Sequence, residues 1–234
     1  MDAVGLIETI RFERGRALFV EEHEARLRAS WPERFGGSAP PLASTAAAAI
    51  ARSELSSGLV RVEFSRGADG RPARSVSERA LPRMPGRVAV AIARSPRSGP
   101  PAARRLKSSD RAWVDELSEE GVFETLVWDD EHGLLEGTRT NLFVVRDGEL
   151  VTPPIACGLV PGVVRAAVIA AAPAAGFRVV ERPVTPADLR AANGLLLTGA
   201  GAGVVAVGVC DGRKLPVAVT EPLARRLWRS VRGA

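Results

Sequence analysis

Of the 32 basic side chains in this chain only two are lysines, Lys107 and Lys214; the other thirty are arginines. With arginine serving almost everywhere that a surface cation suffices, a remaining lysine is a candidate for chemistry that guanidinium cannot do. Arginine stays protonated and is a poor nucleophile, whereas a lysine amine can lose its proton and condense with an aldehyde. Lys214 lies in the polar turn Asp211-Gly212-Arg213-Lys214 and reads as a solvated cation. Lys107 stands between a Pro/Gly/Arg-rich stretch and Ser108-Ser109-Asp110-Arg111. Taken alone, that window suits a surface cation and a nucleophile equally.

Other residues carry a similar choice. Glu136, in Leu135-Glu136-Gly137-Thr138-Arg139-Thr140-Asn141-Leu142-Phe143, either begins a turn or is a carboxylate held to pair with a ring nitrogen or cation. Arg26 follows His23-Glu24-Ala25 on an expected helix, where it is either solvated or holds a phosphate through paired donors. Pro161-Gly162-Val163-Val164-Arg165 is an ordinary helix start, or one whose free N–H groups receive a phosphate. Thr198-Gly199-Ala200-Gly201-Ala202-Gly203 is no dinucleotide fingerprint, because a strand rather than a helix follows the glycines. It is either a plain connection or a backbone nest for an anion. His132, in Glu131-His132-Gly133, reads as exposed, and His23 alone makes no metal site. Two such histidines build no Ser/His/Asp set. With neither an H-E-x-x-H motif nor clustered carboxylates, no metal is expected.

The elements that must position these residues follow from periodicity and turn signals. Strands are expected over 4–11 and 16–21 as a hairpin, then a helix from Glu22 to near Pro32 and another over 44–56. A second hairpin, 59–66 with 72–81, turns at Gly67-Ala68-Asp69-Gly70. Pro82-Arg83-Met84-Pro85-Gly86 marks a domain boundary. Beyond it come strand 87–94, a loop over 95–103, helix 109–120, strand 123–128, and strand 141–146 turning at Asp147-Gly148 into 149–152. Helix 162–176, strand 177–182, helix 186–192, strands 194–198 and 204–209 and helix 220–231 complete the map. Without strict βαβ alternation this is an α+β chain with a small domain over 1–83 and a larger one over 84–234.

At 234 residues, with 46% hydrophobic and 25% charged residues, the composition is that of an ordinary globular protein. The net charge of +5 suggests nucleic acid, yet the arginines are interspersed with acids and no basic block carries aromatics. Small anionic substrates suit such scattered charge better. Cys157 and Cys210 are isolated and are expected as reduced thiols. The N-terminus lacks a basic segment followed by an apolar one, and the longest apolar stretch is broken by Arg165 and Pro173. A soluble cytoplasmic protein without membrane or nucleic-acid partners is expected.

Taken in order, these segments resemble the class IV aminotransferase family, the fold-type IV pyridoxal 5'-phosphate (PLP) enzymes with a D-amino-acid aminotransferase-like, two-domain architecture. The likeness runs through Gly5-Leu6-Ile7-Glu8-Thr9-Ile10-Arg11, His23-Glu24-Ala25-Arg26-Leu27, Leu106-Lys107 with Asp110-Arg111, and Glu136-Gly137 with Asn141-Leu142-Phe143. It continues through Thr152-Pro153-Pro154, Pro161-Gly162 with Arg165, and the Thr198–Gly203 connection. The resemblance implies that Lys107 binds the cofactor aldehyde and then serves as base, and that Glu136 keeps the pyridine nitrogen protonated. It implies that Arg26, the backbone of Val163 and Val164, and Ala200-Gly201 hold the phosphate. It also implies a homodimer, in which the partner subunit completes the pocket.

Departures bear on the reaction. Family members usually carry a further strand and turn ahead of Gly5, so substrate contacts from that strand are expected to be missing or supplied otherwise. Hydroxyls common in transaminases are absent at Val164 and Ala200. The chain has no tyrosine to meet the cofactor's phenolic oxygen, and whether Asp110 or Arg111 substitutes stays open. Thr9, where branched-chain transaminases tend to have glycine, and Lys107-x-x-Asp110-Arg111 are lyase-like. These features imply 4-amino-4-deoxychorismate lyase, with Thr9 positioning or protonating the departing enolpyruvyl oxygen and arginines such as Arg104 and Arg105 meeting carboxylates. The alternatives are a branched-chain or D-amino-acid aminotransferase, or a catalytically silent scaffold.

Overall fold

The structure, a computed structural model, describes residues 4–96 and 104–233. The start of the chain, residues 1–3, and most of the loop expected over 95–103 lie outside the described residues. Packing divides the chain into two compact units. The first comprises Met1–Pro82 and Leu106–Arg111, the second Arg83–Arg105 and Ala112–Ala234. The segment bearing Lys107, which a linear split at 83/84 assigns to the larger domain, thus packs with the smaller one.

In the first unit strands β1 (Leu6–Glu13), β2 (Arg16–Ala17), β3 (Ser57–Arg66) and β4 (Pro72–Ala80) form an antiparallel sheet in the order β2-β1-β3-β4. Helices α1 (Val20–Arg34) and α2 (Leu42–Arg52) supply Leu27, Trp31, Leu42, Ala46 and Ile50 to a core that includes Leu6, Ile10, Phe12, Val60, Val62 and Phe64. The second expected strand is short. Phe19 takes a left-handed conformation (φ 57°) and starts α1 at Val20, ahead of the expected Glu22. Pro32 lies inside α1 rather than ending it, because Phe35 N–H still reaches Trp31 O at 2.8 Å and closes the last turn.

Register explains where Lys107 goes. Strand β2 pairs only with Phe12 and Glu13, which leaves the opposite end of that edge of β1 open. Ser108 bridges to Leu6 there, Ile7 N–H donates to Lys107 O and Ser109 N–H to Gly5 O, both at 2.9 Å. The helix expected over 109–120 is confined to α3, Ala112–Leu117.

The second unit is built on a nine-stranded mixed sheet. Its strands are β5 (Arg87–Arg94), β6 (Glu124–Asp129), β7 (Gly133–Gly137), β8 (Asn141–Arg146), β9 (Glu149–Thr152), β10 (Arg178–Glu181), β11 (Gly194–Gly199), β12 (Gly203–Cys210) and β13 (Arg213–Lys214). The order is β10-β9-β8-β11-β12-β5-β6-β7, and β7 pairs back onto β8 through Glu136 and Asn141. Six strands therefore close on themselves around Val90, Leu126, Leu134, Leu142, Val144, Leu197, Val205 and Val207. Strand β7 corrects the sequence reading, in which Glu136 could begin a turn. Helices α4 (Val163–Ala171), α5 (Pro186–Arg190) and α6 (Thr220–Arg232) complete the unit. The single helix expected over 162–176 is broken: Pro173, lacking an N–H, starts a separate 3-10 turn over Pro173–Ala175. Cys157 and Cys210 are buried and free. Among the described residues no helix is long and apolar enough to cross a membrane.

Candidate active site

Alternation along β1 sends Leu6, Ile10 and Phe12 into the helix-covered core, and Glu8 shares their phase. Helix α1 buries His23, Leu27 and Trp31 at four-residue spacing, with Arg26 three residues after His23. These two patterns bring an acid, an imidazole and a guanidinium together. Glu8 Oε1 accepts from Arg26 Nε at 2.9 Å and Oε2 from Arg26 Nη2 at 2.5 Å. His23 Nδ1 lies 2.5 Å from the same Oε2. Burial alone pushes the Glu8 carboxyl up; the Arg26 charge and the bonds from His23 and Arg26 outweigh it and hold the pKa at about 2. Burial pulls His23 down, against Glu8 and with help from the charges of Arg26 and Lys107. His23 is therefore neutral at pH 7, donates through Nδ1, and keeps a buried Nε2 without a partner among the described residues.

Lys107 belongs to this unit and is half-buried, with its backbone pinned to β1. Thr9, also half-buried, follows Glu8 and so points to the opposite face of β1.

Glu136 belongs to the second unit and is 4% exposed. Its Oε2 accepts from Asn141 Nδ2 at 3.2 Å and from Val160 N–H at 3.1 Å, while Asn141 Nδ2 also reaches Val160 O at 3.0 Å. One asparagine thus ties the carboxylate to the segment that leads through Gly162 into α4. A Cβ on Gly162 would lie 1.9 Å from Asn141 Oδ1, so that approach requires glycine. Gly162 gives no side-chain cap, and the first turn of α4, which begins at Val163 and Val164, holds no acid. An anion is therefore favoured there. Thr198 pairs with Asn141 across β8 and β11, and its buried Oγ1 has no partner among the described residues. Ala200 and Gly201 form the half-buried turn between β11 and β12.

The turn before β8 is held by a second buried carboxylate, Glu124, which accepts from Thr138 Oγ1, Thr140 Oγ1 and Arg139 N–H. Burial raises its pKa against those bonds. Arg165 is structural: Nη2 joins Glu181 at 2.7 Å and Pro153 O at 2.9 Å. Arg104, expected near substrate carboxylates, pairs through Nη1 with Asp129 at 2.8 Å, and Arg105 is exposed. His132 is half-buried rather than exposed, with Nδ1 2.9 Å from Asp129 Oδ1. Sequence reasoning missed Glu8, Asn141 and Glu124 as site residues. The phase of Glu8 among Leu6, Ile10 and Phe12 was the available signal; nothing comparable singles out Glu124.

A family model described as amino-transferase class IV matches residues 5–210. The chain belongs to the class IV aminotransferase family. Among curated members, a putative branched-chain-amino-acid aminotransferase from Methanocaldococcus jannaschii is 42% identical over 93 residues, 40% of this chain and 32% of that protein. The matched stretch is about a third of the length of such curated relatives. A hypothetical aminotransferase from Mycobacterium tuberculosis, solved in a PLP-bound form, superposes with a TM-score of 0.84 at 21% identity, over 97% of this chain and 88% of that one. The 4-amino-4-deoxychorismate lyase from Pseudomonas aeruginosa gives a TM-score of 0.81 at 27% identity, over 98% and 90%. The fold of this class IV chain is therefore the mixed α+β architecture of the fold-type IV PLP enzymes.

Proposed function

We propose that this class IV chain is a PLP-dependent aminotransferase acting on branched-chain-type amino acids and their 2-oxo acids. The observation that carries the reading is the 42% identity to the Methanocaldococcus jannaschii aminotransferase, a name shared by other curated relatives. This reverses the order expected from Thr9 and Lys107-x-x-Asp110-Arg111. The lyase reading stays second, supported by Thr9 and by the likeness to the Pseudomonas aeruginosa lyase.

The donor set fits the cofactor in kind. The amine of a half-buried lysine residue suits its aldehyde, and a buried, hydrogen-bonded carboxylate suits a protonated ring nitrogen. An acid-free helix start and an arginine suit its phosphate. When bound, PLP supplies the electron sink that lets a substrate Cα–H bond break.

Lys107 would hold the cofactor through its aldehyde, and its Nζ would be the base that takes the substrate Cα proton and delivers it to the cofactor-side carbon, as transamination requires. Glu136, fixed by Asn141 and Val160, keeps a proton on the ring nitrogen. Arg26 and the N–H groups of Val163 and Val164 hold the phosphate, with the Ala200-Gly201 turn as a further backbone contact. Thr9 positions substrate in the transaminase and protonates the leaving oxygen in the lyase. The working assembly is a homodimer, which light scattering tests; a monomer in the active preparation contradicts it.

Leucine, isoleucine or valine supplied with 2-oxoglutarate is expected to yield glutamate and the matching 2-oxo acid. Pyruvate release from 4-amino-4-deoxychorismate, with no glutamate formed in the first assay, gives the lyase precedence.

A further inference from the structure

We propose that Glu8, buttressed by His23, is a positioning residue that sets the plane of the Arg26 guanidinium for a phosphate monoester. The inference rests on the reading of Arg26 as a phosphate holder and adds to it two residues that act through Arg26.

Three observations carry it. First, Glu8 occupies a core position of β1 that Leu6, Ile10 and Phe12 fill with apolar side chains, and it is 2% exposed. A carboxylate is costly in such a place unless paired and hydrogen-bonded, so its presence needs a partner that uses it. Second, the pairing is side-on, through Nε and Nη2 of Arg26 to the two oxygens of one carboxylate. Two parallel bonds remove rotation about the Cδ–Nε and Nε–Cζ bonds, which a single bond leaves open. Third, Glu8 is itself held. His23 Nδ1 bonds Oε2, and the imidazole is 1% exposed. The acid therefore has one orientation, and it passes that orientation to the arginine.

A purely electrostatic role predicts the opposite behaviour, which makes the idea testable by sign. An anion beside Arg26 cancels part of its attraction for phosphate, so removing the charge would tighten phosphate binding. If Glu8 positions Arg26, removing it weakens phosphate binding despite the gain in net positive charge.

The test compares dissociation constants for PLP and for pyridoxal, which lacks the phosphate, in the unaltered protein, Arg26→Gln, Glu8→Gln and His23→Gln, with inorganic phosphate as a third probe. Arg26→Gln is expected to reduce the preference for PLP over pyridoxal more than either other variant does, the backbone N–H groups keeping a remainder. If it does not, the reading of Arg26 is wrong. Given that loss, Glu8→Gln is expected to reduce the same preference about tenfold or more, with a smaller loss in His23→Gln. An unchanged or increased preference in Glu8→Gln overturns the proposal and leaves the Arg26 reading standing. Should Glu8→Gln not fold, nitrogen NMR of the unaltered protein decides: separate Arg26 Nη signals are expected from arrested rotation, and a single averaged signal overturns the idea.

Discussion

At the residue scale, the buried Glu8 carboxylate is kept ionised by Arg26 and His23, and this has a pH signature. Glu8 has its pKa lowered from 4.5 to about 2 on folding. A depressed carboxyl adds stability that is complete above the unfolded value and is lost as pH falls through the folded one. The stability difference between the unaltered protein and Glu8→Gln should therefore shrink by roughly 3 kcal/mol between pH 5 and pH 2. Urea unfolding across that range measures it, and a constant difference would contradict the ion-pair account. His23 acts in the same direction, since its lowered pKa makes protonation below its ordinary value favour the unfolded chain. Asn141→Ala should weaken the cofactor by removing the bonds to Glu136 and Val160 O, and absorbance titration with PLP checks this. The lysine stood out in the sequence because composition made it rare. Glu8 could have been read there too, because an acid stood in phase with three apolar neighbours. Asn141 could not, since its Nδ2 joins two segments whose meeting depends on the β7–β8 pairing.

At the element scale, two glycines permit close approaches that a methyl group would block. A Cβ at Gly5 would lie 2.0 Å from Phe64 O on β3 and 3.2 Å from the Ser109 Oγ on the other side. Gly5→Ala is expected to destabilise the first unit by about 1–3 kcal/mol. Gly162→Ala should cost a similar amount through Asn141 and also loosen Glu136. Denaturant midpoints check both, with Gly86→Ala as a control, because no atom stands near its Cβ position and its φ lies outside the left-handed region. Strands with apolar runs, such as Arg87–Arg94 and Asn141–Arg146, were legible from periodicity. Strand β7 was not. It is five residues long, begins and ends on glycine, and carries an acid, so its strand character comes from pairing with β6 and β8 rather than from local preference. Helix α1 began early for a similar reason: a left-handed Phe19 is a tertiary choice that no propensity announces.

At the scale of the whole molecule, the order of segments indicated the family before any coordinates, while the grouping into units did not follow the chain. Leu106–Arg111 joins the unit that ends at Pro82, because an open stretch of the β1 edge accepts its backbone. Lys107 and Glu136 consequently belong to different units. Borohydride reduction of the protein incubated with PLP, followed by peptide mapping, tests most directly whether Lys107 is the residue that binds the cofactor. The account predicts loss of the visible absorbance band and a reduced pyridoxyl adduct on Lys107 alone, with Lys214 unmodified. An adduct on Lys214, or no adduct at all, would contradict it.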